Sequence, residues 1–110
     1  MIRIADIQRA IADTYGLPVE VLRHPDGAHG IRERRYVRPR QIGMYLARQM
    51  CATGAQRSRI SLTTIGRKFG GRDHTTVLHG CRVIDSLIRS DTEERRAIGE
   101  IGWLLIERSQ

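Results

Sequence analysis

The chain has 110 residues, 40% hydrophobic and 28% charged, and its 19 lysines and arginines against 12 acidic residues give a formal net charge of +7. This length supports one modest core and leaves no room for a separate catalytic domain, so a single domain over residues 1–110 is expected. The composition is globular, no apolar run is long enough to span a bilayer, and Met1-Ile2-Arg3-Ile4-Ala5-Asp6 lacks the apolar stretch of a signal peptide, so a cytoplasmic protein with no membrane partner is expected.

Ile4, Ile7 and Ile11 recur at helical spacing before Gly16, which predicts a first helix over about 3–15. Leu17 to Leu22 reads as a short helix with Pro18 at its first position. Residues 23–37 hold Pro25, Gly27, Gly30 and many arginines without an apolar period, and read as a loop. Pro39 then marks a helix start, with Ile42, Tyr45, Leu46 and Met50 as the buried stripe, fading by Thr53-Gly54. Residues 53–60 form a second polar connection. Ser61 is the expected N-cap of a short helix carrying Leu62, Ile65 and Phe69 and ending at Gly70-Gly71. Asp73 caps the next, about four turns long, with Val77, Cys81, Ile84 and Ile88 on its stripe and Leu78 and Leu87 beside it. Asp91, Glu93 and Glu94 mark the start of the last helix, where Ile98, Ile101 and Leu105 face inward and Trp103 and Leu104 broaden that surface. No strand or repeat is expected. The fold class is all-α with about six helices, and no heptad seam or large spare apolar face argues for an obligate dimer.

The charge is localised. Residues 23–60 carry nine arginines (23, 32, 34, 35, 38, 40, 48, 57 and 59) against Asp26 and Glu33, which accounts for the whole net charge of +7. A basic segment on a neutral body points first to nucleic acid and second to an anionic membrane surface; a solvated loop with no partner is the plain alternative. The membrane is disfavoured because the charges sit in a loop rather than on an amphipathic helix with aromatics. Cys51 and Cys81 read as free thiols in a reducing compartment, and neither a disulfide nor a metal site is expected. His74 and His79 are five apart and fall on different helical faces, and neither H-E-x-x-H nor C-x-x-C occurs, so no catalytic or cofactor-binding pattern is present.

The two helices flanking Gly70-Gly71-Arg72 have the sequence form of a helix-turn-helix. The second opens Asp73-His74-Thr75-Thr76, a polar quartet where a recognition helix presents side chains to base edges. Capping explains Asp73; it does not explain His74, Thr75 and Arg72 together.

Gly70-Gly71-Arg72-Asp73-His74-Thr75-Thr76-Val77-Leu78-His79-Gly80-Cys81-Arg82 resembles the signature of the C-terminal DNA-binding domain (domain IV) of the bacterial replication initiator DnaA. Arg38-Pro39-Arg40-Gln41-Ile42 is similar to that family's other characteristic segment, and Ser61-Leu62-Thr63-Thr64-Ile65-Gly66 with Phe69 to its first recognition-motif helix. The resemblance covers nearly the whole chain. It implies a Trp-repressor-like fold that reads an asymmetric nine-base-pair box in double-stranded DNA. Asp73, His74 and Thr75 would address the major groove, with Leu62 and Thr63 near thymine methyls or backbone. Arg40, Gln41, Arg48, Arg72 and Thr76 would sit near phosphates or the groove edge. Arg32 would enter the minor groove, with Arg34 and Arg35 as alternatives, and Arg38 completes the basic set.

Three departures stand out. Thr63 occupies a position where the family usually has proline, and the Arg23–Ile31 and Cys51–Ile60 connections are longer than the family's. The third is an absence: no G-x-x-x-x-G-K-[S/T] phosphate loop occurs, so no nucleotide is bound and a standalone DNA-binding protein is expected, one that cannot hydrolyse ATP. The expected role is regulation of replication initiation or transcription as a monomer on DNA. The alternative is a protein-interaction module that binds replication proteins and has only non-specific DNA affinity.

Overall fold

The computed structural model describes residues 1–24, 34–53 and 58–110. Six α-helices follow in order: α1 (Ile4–Tyr15), α2 (Glu20–Arg23), α3 (Val37–Met50), α4 (Leu62–Lys68), α5 (His74–Ser90) and α6 (Thr92–Arg108). A 3-10 turn, Arg34–Tyr36, leads into α3. Two strands of two residues, β1 (Ala52–Thr53) and β2 (Ser58–Arg59), pair antiparallel between α3 and α4. The all-α class holds, and this short ladder is an addition to it. Two-residue strands leave no periodicity in a sequence, which is why none is expected there from the residues alone.

The helix boundaries follow from capping chemistry. Gly16 takes a left-handed conformation (φ 64°) and ends α1, where its N–H bonds back to the Ala12 carbonyl. The Ser61 hydroxyl accepts from Thr64 N–H at 3.1 Å, the Asp73 carboxylate from Thr76 N–H at 2.9 Å, and the Asp91 carboxylate from Glu94 N–H at 3.1 Å. Pro39 does not open α3 as expected; it occupies the third helical position after Tyr36 and Val37 begin the turn. The first N–H groups of a helix have no intrahelical acceptor, so a proline there costs no hydrogen bond. The loop expected over 23–37 is correspondingly shorter at its end.

Helix α3 packs against α1, α4 and α5. Ile7 and Ile11 of α1, Leu22 of α2, Ile42 and Met44 of α3, Ile65 and Phe69 at α4, and Val77 and Ile84 of α5 make the centre of the core. Ile98, Ile101 and Leu105 close it from α6. Buried Gln8 ties three elements together. Its Nε2 donates to the Lys68 carbonyl at 2.9 Å, and its Oε1 accepts from Arg23 Nε at 3.0 Å. Trp103 and Leu104 do not broaden the inward face of α6. They are 62% and 42% exposed, and with Ile106 they leave an apolar strip facing solvent.

Helices α4 and α5 meet with no space to spare. Arg72 N–H donates to the Gly66 carbonyl at 2.8 Å, and a Cβ on residue 66 would overlap the Arg72 carbonyl oxygen. Gly70 and Gly71, at φ 92° and 73°, make the left-handed reversal that brings these groups together. Gly66→Ala is therefore expected to destabilise the chain by about 2–4 kcal/mol, the overpacking cost together with a displaced backbone hydrogen bond. At Gly99 of α6, by contrast, an added Cβ would have no heavy atom within 4 Å. Gly99→Ala is expected to stabilise by about 0.5–1 kcal/mol through helix propensity alone. Urea unfolding of the two variants reads these opposite signs directly.

Candidate nucleic-acid interface

The tight α4–α5 turn presents the first residues of α5 to solvent. Asp73, His74, Thr75 and Thr76 are all exposed. Asp73 holds the quartet in one arrangement, since its Oδ1 accepts both the Thr76 N–H and the Thr75 hydroxyl. The Thr75 hydroxyl, then the Thr76 N–H, hold the Asp73 carboxyl below its ordinary pKa, so it is an anion at neutral pH. The sequence placed Asp73 both as a cap and as a groove-facing residue. The structure makes it the cap and the residue that orients Thr75. His74 projects from the same first turn.

Two guanidinium groups flank this end of α5. Arg72 is half-buried in the turn, where its Nε donates to the Phe69 carbonyl at 3.1 Å. Arg40, in the first turns of α3, is only 7% exposed, and its Nε and Nη2 have no hydrogen-bond partner among the described residues. Burial, reinforced by the positive charge of Arg72, lowers the Arg40 pKa from 12.5 to about 10. It remains a cation at neutral pH. Nε and a terminal nitrogen form the side edge of the guanidinium fork, the geometry that meets two oxygens of one phosphate. A buried charge without a partner costs several kcal/mol, which an anion at this edge would offset.

Gln41 lies next on α3, its Cγ packed where α5 comes closest: a methyl on Gly80 would stand 3.3 Å from it and 2.9 Å from Met44 Cε. Gly80 thus lets α3 lie against α5 and brings Arg40 and Gln41 beside the first turns of α5. Arg38 is exposed in the first turn of α3, and Arg48 is half-buried in its last turn. Leu62 and Thr63 begin α4, Leu62 half-buried and Thr63 exposed.

The basic segment is placed in part. Arg32 lies outside the described residues. Arg34 begins the 3-10 turn. Arg35 is engaged with buried Tyr36, donating to its hydroxyl at 2.8 Å and stacking 4.9 Å from the ring centroid. The expected set therefore falls into one group around the start of α5 (Arg40, Gln41, Arg72, Asp73, His74, Thr75, Thr76), with Leu62 and Thr63 at the start of α4 and Arg48 at the far end of α3. Sequence reasoning missed the burial of Arg40, since arginine four residues after Tyr36 looks like any surface cation. It did not assign Arg59 or Arg82 to DNA; they share a groove with Arg48, and Arg59 counted only as one charge among nine.

Burial pushes the Cys51 thiol up to about 11 and raises that of Cys81, which keeps both protonated and poorly nucleophilic at neutral pH. Among the described residues no group of His, Cys, Asp and Glu is placed to hold a metal ion, and no helix is long and apolar enough to cross a membrane.

Residues 4–84 match the family described as bacterial DnaA protein helix-turn-helix. The chain is 45% identical over 92 residues to the chromosomal replication initiator protein DnaA of Brucella abortus, covering 84% of this chain and 16% of that protein. The DnaA of Cereibacter sphaeroides is 40% identical over 92 residues, covering 84% of this chain and 18% of that protein. The chain thus spans less than a fifth of the length of the curated relatives it matches. It belongs to the bacterial DnaA helix-turn-helix family.

Proposed function

We propose that this chain binds duplex DNA sequence-specifically, reads a DnaA-box-like site through the first turn of α5, and acts in the initiation of replication or its regulation. The observation that carries the reading is the buried edge of Arg40, without a partner among the described residues, beside the exposed polar start of α5. One feature wants a phosphate and the other offers groups to base edges, and the close α3–α5 packing at Gly80 joins them. In this reading Arg38, Arg40, Gln41, Arg72 and Thr76 lie along the backbone, and Asp73, His74 and Thr75 face the major groove. Leu62 and Thr63 lie near thymine methyls. Arg35 is committed to Tyr36, which favours Arg32 or Arg34 for the minor groove.

A second reading, a module that docks on a partner protein, draws on the exposed strip of Trp103, Leu104 and Ile106. Selection of bound sequences from a random duplex pool separates the two. Recovery of one asymmetric box supports DNA reading, and recovery of unrelated sequences supports the module.

The Thr75 hydroxyl donates its one O–H to Asp73, so toward a base it can only accept, and its methyl is the group that suits a thymine. Thr75→Ala is expected to cost about 1–3 kcal/mol on the selected box and little on scrambled duplex. Thr75→Val should keep more of the box affinity than Thr75→Ser, and replacing the contacted thymine by deoxyuridine should erase that difference. Fluorescence anisotropy titrations decide it.

Arg40→Met removes a buried charge and keeps the aliphatic volume. The free protein is expected to become equally or more stable, because the unpaired ion is gone. DNA binding should weaken on every sequence, with the log–log salt slope flatter by about 0.9, the value of one phosphate contact. Opposite signs in the unfolding and binding curves are the signature of an ion held for a ligand.

One copy carries both a recognition helix and a basic segment, so one copy should serve one asymmetric site. Analytical ultracentrifugation with a single-box duplex is expected to give a 1:1 complex; a 2:1 complex on the minimal box would refute this.

A further inference from the structure

A second basic groove lies between the far end of α3, the ladder and the middle of α5. Its volume is about 180 Å³, and Tyr45, Arg48, Gln49, Arg59 and Arg82 are among the residues that line it. Three arginines line it from three different elements: Arg48 from α3, Arg59 from β2 and Arg82 from α5. The one carboxylate at its edge, Asp85, is already taken by a fourth arginine, with Arg89 Nη2 3.0 Å from its Oδ2. Among the described residues the Arg59 guanidinium makes one hydrogen bond, to the Gln49 amide oxygen at 3.5 Å. Among the described residues no carboxylate pairs with Arg48, Arg59 or Arg82. Three like charges around one groove repel unless an anion sits between them.

The position of this groove relative to the start of α5 follows from helix geometry. Thr75, His79 and Arg82 fall on one stripe of α5, so Arg82 stands two turns, roughly 10 Å, along the axis from Thr75. That is about three of the roughly 3.4 Å axial phosphate steps of one duplex strand. Arg40 and Arg48 are likewise two turns apart on α3. The first pair of positions, Arg40 and Thr75, belongs to the site at the start of α5; the second, Arg48 and Arg82, belongs to the groove. The ladder completes the groove. It holds Arg59 at its end, since Ala52 pairs with Arg59 and Ile60 N–H returns to the Cys51 carbonyl at 3.4 Å.

We propose that Arg48, Arg59 and Arg82 form a second phosphate-binding site, completed by the β1–β2 ladder, that grips the duplex backbone outside the base pairs read by α5. The inference rests on the reading of α5 as a DNA-recognition helix. The ligand is the phosphodiester backbone of double-stranded DNA. The consequence is a footprint longer than the box, in which the added connection between α3 and α4 supplies affinity and no sequence preference of its own.

The test compares two duplexes carrying the same selected box, one trimmed to the box and one with flanks of about ten base pairs on each side, titrated at several salt concentrations. The parent chain is expected to bind the flanked duplex more tightly and with a steeper salt slope. Arg59→Ala and Arg82→Ala should each lose roughly threefold to tenfold on the flanked duplex, flatten its slope by about 0.9 and bind the trimmed duplex as the parent does. Arg59→Lys should retain most of the gain. Arg82 stands on a continuous helix, so its variant remains informative if the ladder frays when Arg59 is changed. A flanked single strand of equal length should gain less than the duplex. If both alanine variants match the parent on the flanked duplex while Thr75→Ala still loses box affinity, the groove is not a phosphate site and the recognition reading stands. If the parent shows no preference for the box but Arg59→Ala and Arg82→Ala still lose slope on long duplexes, the recognition reading fails and the groove remains.

Discussion

The Arg72 carbonyl oxygen occupies the space where a side chain on residue 66 would have to begin, and the rest of the candidate interface depends on that contact. It fixes the separation of α4 and α5, because Gly66 accepts from Arg72 N–H at the same place. With the turn fixed, Asp73 is delivered in extended conformation to cap α5, and the cap in turn binds the Thr75 hydroxyl. Position 66 therefore governs the orientation of side chains nine residues away without touching them. Two further glycines extend the same device. Gly43 faces the Phe69 ring at 2.9 Å from a notional Cβ, and Gly80 faces Met44 and Gln41. Helix α3 lies close against α4 and α5 because each of these crossings has lost a side chain.

Such close packing is what makes the charge at Arg40 costly. Near the surface an arginine would be hydrated and cheap to hold. At 7% exposure, with two donors unpartnered among the described residues and Arg72 nearby, it opposes the folded state of the free chain. Foldable sequences break local rules where function requires it. A preformed cation that water cannot screen attracts an anion more strongly than a solvated one, and it loses no side-chain entropy on binding. Other arginines among the described residues, such as Arg38 and Arg82, are exposed and adaptable.

How much of this was legible in the sequence depends on the scale of the physics involved. Ser61 and Asp73 were identifiable as N-caps, and Asp91 as the start of the last helix, because a cap is a local event: one side-chain acceptor meets an N–H three residues on. The apolar stripes of α1, α3 and α5 were legible for the same reason. The start of α3 was misplaced at Pro39, since proline is tolerated anywhere in the first turn and does not by itself mark the first residue. Trp103 and Leu104 were assigned inward on hydrophobicity alone, although they lie off the stripe of Ile98, Ile101 and Leu105 and face solvent. Arg40, Gln8 and Gly66 were illegible in kind. Their burial and contacts are set by which helices cross, and a crossing has no one-dimensional signal. The quartet at 73–76 was found from its position after the glycines, and its internal hydrogen bonding was not.

The two ends of the α3–α4 connection explain why extra residues can be carried there at all. Cys51 and Ile60 are buried, at 5% and 7% exposure, and are joined by a backbone hydrogen bond. The chain thus leaves the core and re-enters it at fixed points, and the cost of lengthening a connection between such points rises slowly with length. The α4–α5 turn has no such freedom, because one added atom at Gly66 meets backbone. The fold therefore separates two properties of a DNA-binding surface. Geometry at the start of α5 is locked by the core, so what its first turn presents can change only by exchanging exposed side chains. The reach of the basic surface beyond it can change by altering a connection whose anchors stay put, and Arg59 stands at the edge of that connection.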